Sequence, residues 1–430
     1  MMNKKRSKTH ISKDKFLFYI FILYVTTTIF TPKIDFGFIT IYLFEPFLIL
    51  IAFYLILKRK IVFLTNIEKA YLLFMAISIL TYPIGVFNTD IIDIKTIILV
   101  IKYVSFGFII PISYYYSKYI NEKNISLIIF VQSLFVIIFG SYVLFNMILF
   151  PIPMVDIIWG YSQEYRLIGF TGYGIGVNGL RMIGTTSVQT GVFVSLIFLI
   201  YLSLYVNLSK RKYLYIMIVL FIGEMLTQSR SGLLILFIGI LYIILDKYNN
   251  KNILKILFTS IVGLTSIIWY FDLLEFISTF GTIGKIVSTI DFKDGSSEQR
   301  LMYMGYAIEY ISENPLAIFI GTGYGEGFSQ ELIGVPFLEN LIFTVFFQSG
   351  IIGFSVVVSI FYFMWHYAKK YTNKRKYNIY SAILYGVKLF IPGFFLANAV
   401  GGNSLQTDFI VPFLFYVIGT TVYKLKKEQA

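Results

Sequence analysis

The sequence predicts an all-α polytopic membrane protein with about 12 transmembrane helices and one large extracytoplasmic loop. Three observations point there. Hydrophobic residues make up 57% of the 430 positions, and the mean hydropathy of +0.76 lies outside the range of soluble domains. Continuous apolar runs of about 18 residues or more recur from end to end, each long enough to cross the hydrocarbon core as a helix. Lysine and arginine cluster in every second connecting segment, as they do on the cytoplasmic side of bacterial membrane proteins. Unpaired backbone is too costly in lipid for other spanning solutions. A β-barrel would need short segments that alternate at every second residue, and these runs are continuous.

The composition also removes several functional classes. A net charge of +13 is compatible with nucleic-acid binding in a soluble protein. Here the positive residues sit in connecting segments, so they read as topology anchors and no nucleic-acid partner is expected. There are no cysteines, which excludes disulfides, thiolate catalysis and cysteine-based metal sites. The two histidines, His10 and His366, fall in no metal-binding spacing, so no metal and no cofactor is expected. The basic start, Met1 to Lys15, runs into a full span without a small-residue cleavage site and is expected to be retained.

Taken in order, spans are expected near 16–31, 36–57, 70–87, 94–116, 125–150, 184–206, 213–228, 231–245, 252–271, 340–365, 378–399 and 407–423. They form a single membrane domain over 1–430 with both termini cytoplasmic. The clusters Lys58-Arg59-Lys60, Lys210-Arg211-Lys212 and Lys374-Arg375-Lys376 then share one side. A shift by one span would break that alternation. Two external segments exceed a simple turn. The first, 151–183, carries Tyr161-Ser162-Gln163-Glu164-Tyr165-Arg166 and a glycine-rich run at Gly172-Tyr173-Gly174-Ile175-Gly176. The second, 272–339, is expected to act as a lid over a site at the membrane surface.

Within that lid a helix is expected from Glu298 to Glu313, with Ser296 and Gln299 at capping-box spacing. Leu301, Met304, Ile308 and Ile311 share one side of it, an apolar face that could rest on the membrane or on the bundle. Asn314-Pro315 ends the helix. The run Gly321-Thr322-Gly323-Tyr324-Gly325-Glu326-Gly327 resembles a nucleotide-binding loop only loosely, because no strand precedes it. It reads instead as a flexible turn with close backbone approach.

Three arginines defy the inside bias: Arg181, Arg230 and Arg300. Arg181 opens the span after the first loop, Arg230 sits in a hairpin between two spans, and Arg300 lies in the first turn of the lid helix. A guanidinium keeps its charge and matches phosphate oxygens as a fork, so arginines converging at a lipid surface suggest a phosphate or diphosphate ligand. Headgroup or acidic-neighbour pairing is the plainer role for any one of them. Glu339 stands where the lid re-enters the membrane, beside Asn340. A carboxylate at a half-dry interface accepts protons more readily, which suits a general base. Asp408 and Glu326 are weaker rivals. Glu45, Lys102, Glu224 and Lys388 fall inside expected spans, where such groups pair with one another or face a cavity. Both roles stay open for them.

With these residues in place, the chain resembles the O-antigen ligase and polymerase superfamily of polysaccharide-assembly membrane proteins. The resemblance rests on an ordered set: Arg181-Met182-Ile183-Gly184-Thr185-Thr186, Thr227-Gln228-Ser229-Arg230-Ser231-Gly232, Ser296-Ser297-Glu298-Gln299-Arg300, Asn314-Pro315, Gly321-Thr322-Gly323-Tyr324-Gly325, and Glu339-Asn340 leading to Gln348-Ser349-Gly350-Ile351-Ile352-Gly353. It implies a GT-C-like helical architecture in the bacterial cytoplasmic membrane. It also implies a metal-independent glycosyltransferase using an undecaprenyl-diphosphate-linked oligosaccharide. External Arg181, Arg230 and Arg300 would hold the diphosphate, with Glu339, Arg230 and Arg300 as catalytic residues. A flippase, a chain-length regulator and membrane lipids would be its neighbours. Ligases of this family carry a His-Asn pair where this sequence has Glu339-Asn340, which favours a polymerase of capsule, O-antigen or exopolysaccharide. The alternatives are a ligase that moves glycan to another carrier and a lipid-oligosaccharide flippase. The flippase is disfavoured because the sequence shows no matched halves.

Overall fold

The computed structural model describes residues 2–27, 33–35, 40–42, 45–146, 187–227, 229–248, 295–335, 338, 340–372, 378–400 and 410–428. The first external segment, 151–183, and the span expected near 252–271 lie outside the described residues, as does the start of the lid.

The described chain is helical apart from one small hairpin. The N-terminal helix α1 spans Met2–Thr27. Strands β1 (Lys33–Asp35) and β2 (Thr40–Tyr42) pair antiparallel, with Ile34 opposite Ile41. They replace the start of the span expected at 36–57, which is left with the short apolar helix α2, Glu45–Leu57. The all-α class holds, with this short hairpin the exception among the described residues. Helix α3 covers Asn66–Thr89. The span expected at 94–116 is two helices, α4 (Ile94–Gly107) and α5 (Ile109–Tyr116), followed by a 3₁₀ turn at Ser117–Tyr119. Pro111 has no N–H for the carbonyl of Gly107, which is enough to interrupt the helix there.

Helix α6 runs from Glu122 to Asn146. Then come α7 (Ser187–Leu208), α8 (Arg211–Thr227) and α9 (Arg230–Tyr248). The lid contributes α10 (Gly295–Glu313), the single turn α11 (Ala317–Ile320) and α12 (Glu326–Ile333). Three long helices close the chain: α13 (Leu341–Thr372), α14 (Ile379–Val400) and α15 (Ile410–Lys427). Among the described residues, 5 helical segments are long and apolar enough to cross a membrane. The chain is therefore a polytopic membrane protein.

Helix α14 is the axis of the bundle, packed against α7, α9, α13 and α15. Two glycines explain its neighbours. A Cβ on Gly386 would stand 2.5 Å from Cα of Ile200 in α7, and one on Gly393 would stand 2.7 Å from Cα of Ile235 in α9. Seven residues apart, they form one small-residue stripe along which two backbones approach closely.

The two ends of the bundle differ in kind. At one end, Asp14 of α1 binds Lys60 after α2 and accepts from Tyr115 at the close of α5. Asn378 before α14 donates to Glu428 after α15, and Tyr114 packs edge-on against Tyr423. The described basic clusters, Lys58-Arg59-Lys60 and Lys210-Arg211-Lys212, belong to loops at this end. At the other end, Asn88 after α3 donates to the carbonyl of Thr322, and Lys95 of α4 pairs with Glu326 at 3.0 Å. The lid sits there, opposite the basic loops, as the alternation of charge predicts.

The ionisable groups inside the spans largely resolve into pairs. Lys102 of α4 stands 3.1 Å from Glu45 at the start of α2. Lys388 of α14 stands 2.9 Å from Asp246 near the end of α9, where Tyr385 also donates to Asp246. Glu224 has a different setting, described with the site.

Candidate functional site

Arg230 opens α9, directly after a compact turn built from its own sequence motif. Thr227 donates its hydroxyl to the carbonyl of Glu224 at 2.7 Å and accepts from the amide of Ser229 at 3.1 Å. Ser229 accepts from the amide of Gly232 at 3.1 Å, an N-terminal cap for α9. Ser195 of α7 donates to the carbonyl of Gly232 at 2.8 Å, fastening the turn to the neighbouring helix. The Thr-x-Ser-Arg-x-Gly pattern thus folds as it does because each hydroxyl satisfies a backbone group left over where α8 ends and α9 begins. Arg230 itself is half-buried.

Beneath this turn lies Glu224, fully enclosed. Its carboxyl is held between two glycines: a Cβ on Gly191 would come to 3.0 Å of Oε1, and one on Gly232 would stand 2.9 Å from Cδ and overlap Oε1. The glycines of the arginine motif and of α7 therefore make room for an acid. Sequence analysis left Glu224 without a role; its spacing of six residues from Arg230, across a turn, was the available signal.

The lid is fastened at the same end by backbone contacts. Thr322 and Gly323 donate their amides to the carbonyls of Phe347 and Gln348 in α13, at 2.9 and 3.1 Å. Gln348 returns its side-chain amide to the carbonyl of Gly325 and to Ser329, each at 3.2 Å. Gly321, Gly323 and Gly350 have φ of 80°, 117° and 63°, and a Cβ on Gly321 or Gly350 would overlap backbone of the opposite strand of the contact. Glycine is required at such positions on both counts. The close backbone approach expected of this run is present. The flexibility is not: residues 321–325 are buried and hydrogen-bonded, so the run is a fixed latch.

One further expectation for the lid is corrected. Gln299 does not cap α10; it lies within the helix and bonds forward to Tyr303. The buried face of α10 is made by Ala307 and Ile311, packed with Val335, Leu338 and Phe347. Of the expected apolar face, Ile311 packs on the bundle, while Leu301 and Ile308 are exposed, as a face resting on the membrane surface would leave them. The helix is apolar on more than one side, so periodicity alone could not say which side meets α13. Arg300 lies on its first turns, half-buried.

Asn340 caps α13: it accepts from the amide of Phe343 at 3.0 Å, and its side-chain amide donates to the carbonyl of Ala399 near the end of α14. Gly393, one turn and a half before Ala399, meets Ile235 just inside α9. The Arg230 turn, the start of α13 and the end of α14 thus share one end of the bundle. Of the four expected site residues, Arg230 and Arg300 are described; Arg181 and Glu339 lie outside the described residues, as does the rival Asp408. Glu326, the other rival, is engaged with Lys95.

Residues 215–358 match the family model described as O-antigen ligase. Over this stretch the chain is similar to the O-antigen ligase family. The matched segment opens inside α8 and closes inside α13. It therefore contains the Arg230 turn, Arg300, the Gly321–Gly325 latch, Asn340 and the Gln348–Gly350 kink, and leaves Arg181 outside. The resemblance drawn from the ordered motifs is borne out for this family. Its members are membrane enzymes that process glycans, in the ligase or polymerase manner. No curated protein matches the chain.

Proposed function

We propose that this protein, similar to the O-antigen ligase family over residues 215–358, is a polysaccharide polymerase. It joins oligosaccharide repeat units carried on undecaprenyl diphosphate at the outer face of the bacterial cytoplasmic membrane. The observation that supports this reading is that the Arg230 turn, the capped start of α13 and the latched lid lie at the same end of the bundle. In the sequence, Glu339-Asn340 stands where ligases of the family carry His-Asn, which favours joining of repeat units over transfer to another carrier.

In the proposed reaction a hydroxyl of the acceptor sugar attacks the anomeric carbon of the donor saccharide. A new carbon–oxygen bond forms, the bond from that carbon to the phosphate oxygen breaks, and the lipid diphosphate leaves with the bonding pair. Glu339 takes the hydroxyl proton. Arg181, Arg230 and Arg300 balance the charge that grows on the diphosphate, so the protein supplies this electrostatic help from its own side chains. Preorganised donors of this kind are worth roughly 3–4 kcal/mol each, or about a hundredfold to a thousandfold in rate.

The test uses purified protein and lipid-linked repeat unit, without ATP or an ion gradient. A ladder of products is expected from the wild type. R230A and R300A should insert normally and give no ladder; long polymer at wild-type levels from both would remove the arginines from the mechanism. In cells, loss of a polymerase leaves single repeat units on the final carrier. Accumulation of full-length lipid-linked polymer would instead identify a ligase.

A further inference from the structure

A cleft of about 580 Å³ opens at the basic end of the bundle, far from the Arg230 turn. Its mouth carries Lys123, Lys210 and Lys212, all exposed, with Glu122 the acid among them. Three helices begin at it: α6 at Glu122, α8 at Arg211 and α14 at Ile379. Each presents the positive end of its backbone dipole, with the first turns of α6 and α14 capped by Asn121 and Asn378. Three lysines and three helix starts converge, against Glu122 and, at the start of α14, Glu428 held by Asn378. Such a mouth selects an anion, and phosphate above all.

The walls decide which kind of anion. Leu127 and Phe130 of α6 and Ile216 of α8 continue the cleft away from the lysines, and Leu127 and Phe130 are exposed. The flanking faces are apolar as well: Leu134 of α6 and Ile218, Val219, Phe221 and Ile222 of α8 are all exposed. In a membrane protein these faces meet acyl chains. Tyr201 and Tyr213 form a buried floor between wall and mouth, with their rings 6.0 Å apart. A polar mouth at headgroup level over an apolar channel open to the bilayer has the profile of a lipid, charged at one end and aliphatic at the other. Basic pockets between transmembrane helices take acidic phospholipids on these grounds.

We propose that this cleft binds one acidic glycerophospholipid, its phosphate at Lys123, Lys210 and Lys212 and an acyl chain along Leu127, Phe130 and Ile216. The site would tie α6, α8 and α14 together from the basic side. It does not depend on the polymerase reading, because none of its residues belongs to the glycan-processing end. It also gives the Lys210–Lys212 cluster a role beyond setting topology.

The experiment is native mass spectrometry of the full-length protein in detergent, titrated with phosphatidylglycerol or phosphatidylcholine. The wild type should hold one phosphatidylglycerol that phosphatidylcholine does not replace and millimolar inorganic phosphate does not displace. K123Q/K212Q keeps Lys210 and Arg211 as topology anchors. It should hold that one lipid about 30-fold more weakly, as two lysines near an anionic headgroup would contribute. Equal retention of the two lipids by the wild type would overturn the proposal without recourse to any variant. So would an unchanged adduct in K123Q/K212Q, or displacement by inorganic phosphate, which would mark a site for soluble anions.

Discussion

The ring of Phe328 fills the space over Gly85: a Cβ on that glycine would stand 2.6 Å from Cγ of the ring and overlap its edge. This contact joins α12 of the lid to α3 of the bundle, and Tyr82 supports the ring from the side at 5.1 Å. With the Lys95–Glu326 pair and the bond from the amide of Gly327 to Asp93, it seats the lid on the α3–α4 corner. The lid is therefore held at two places, on α13 by backbone and on α3 by an aromatic ring in a glycine notch.

The first prediction follows from that notch. G85V forces Phe328 out and should cost about 1–3 kcal/mol, the usual penalty for overpacking a filled site. Thermal unfolding of the purified protein reads the loss. The double variant G85V/F328A should recover part of it, because the intruding methyls then occupy the vacated ring space.

A second prediction concerns Glu224 and Arg230. G232A places a methyl where Glu224 Oε1 now lies, so the carboxyl, the turn or both must shift. A displacement of about 1 Å at a charged group in a site can cost up to a hundredfold in rate. The assay is the product ladder from lipid-linked repeat unit, at equal amounts of inserted protein. Full activity in G232A would show that the turn tolerates the shift and that Arg230 needs no such support.

Buried charge supplies the third. Lys102 and Glu45 have side chains only 8% and 4% exposed, so removing either leaves a charge without its ion-pair partner. K102M alone should destabilise by about 3–5 kcal/mol, while K102M/E45L should recover most of it, since an apolar pair of similar volume is often neutral or better. Chemical denaturation of the two variants in one detergent makes the comparison. Equal losses would show that the pair contributes little.

The Asp14–Lys60 junction predicts a pH dependence. Burial pushes the Asp14 carboxyl up, but hydrogen bonds from Lys60, Tyr115 and Tyr54, with the charge of Lys60, outweigh it and hold the group below its ordinary 3.8. Burial pulls Lys60 down, and its bonds to Tyr115 and Asp14 outweigh that and raise it above 10.5. A depressed acid stabilises the fold above its unfolded value and loses that contribution as pH falls through the folded one. A raised base stabilises below its unfolded value and loses it as pH rises through the folded one. The junction should thus be intact between 3.8 and 10.5 and weaken outside on both sides. D14N should lower the melting temperature at neutral pH and shrink the further drop on acidification. An acid drop as large in D14N as in the wild type would assign it to other carboxylates.

Much of the architecture is legible in the chain because its signals are local. Apolar runs mark the helices, and the alternation of basic loops marks the two ends, since each depends on composition within a window. The motif around Arg230 is legible for the same reason: its hydroxyls cap the helix they begin. The lid helix α10 is where that logic stopped. Its apolar residues surround more than one side, so Leu301 and Ile308 look as buriable as Ala307 and Ile311, and only the position of Phe347 chooses between them.

Glu45, Lys102, Glu224 and Lys388 tell the same story from the polar side. Their cost in lipid was evident from the sequence, but their partners were not. Lys102 finds Glu45, far back in the chain, and Lys388 finds Asp246, because α4 lies by α2 and α14 by α9. The glycines at 321 and 323 read as a flexible turn with close backbone approach; the approach is there, with Gly350 on the other side of the contact, and the run is fixed.

What the amino-acid order determined by itself was a helical, membrane-spanning character and a likeness to the O-antigen ligase family over 215–358. Those follow from hydropathy, loop charge and short motifs, which act residue by residue. Which helices touch, which charges cancel and where the lid is fastened were decided only in three dimensions. Packing and ion pairing depend on distances between segments far apart in the chain, and no local pattern encodes them.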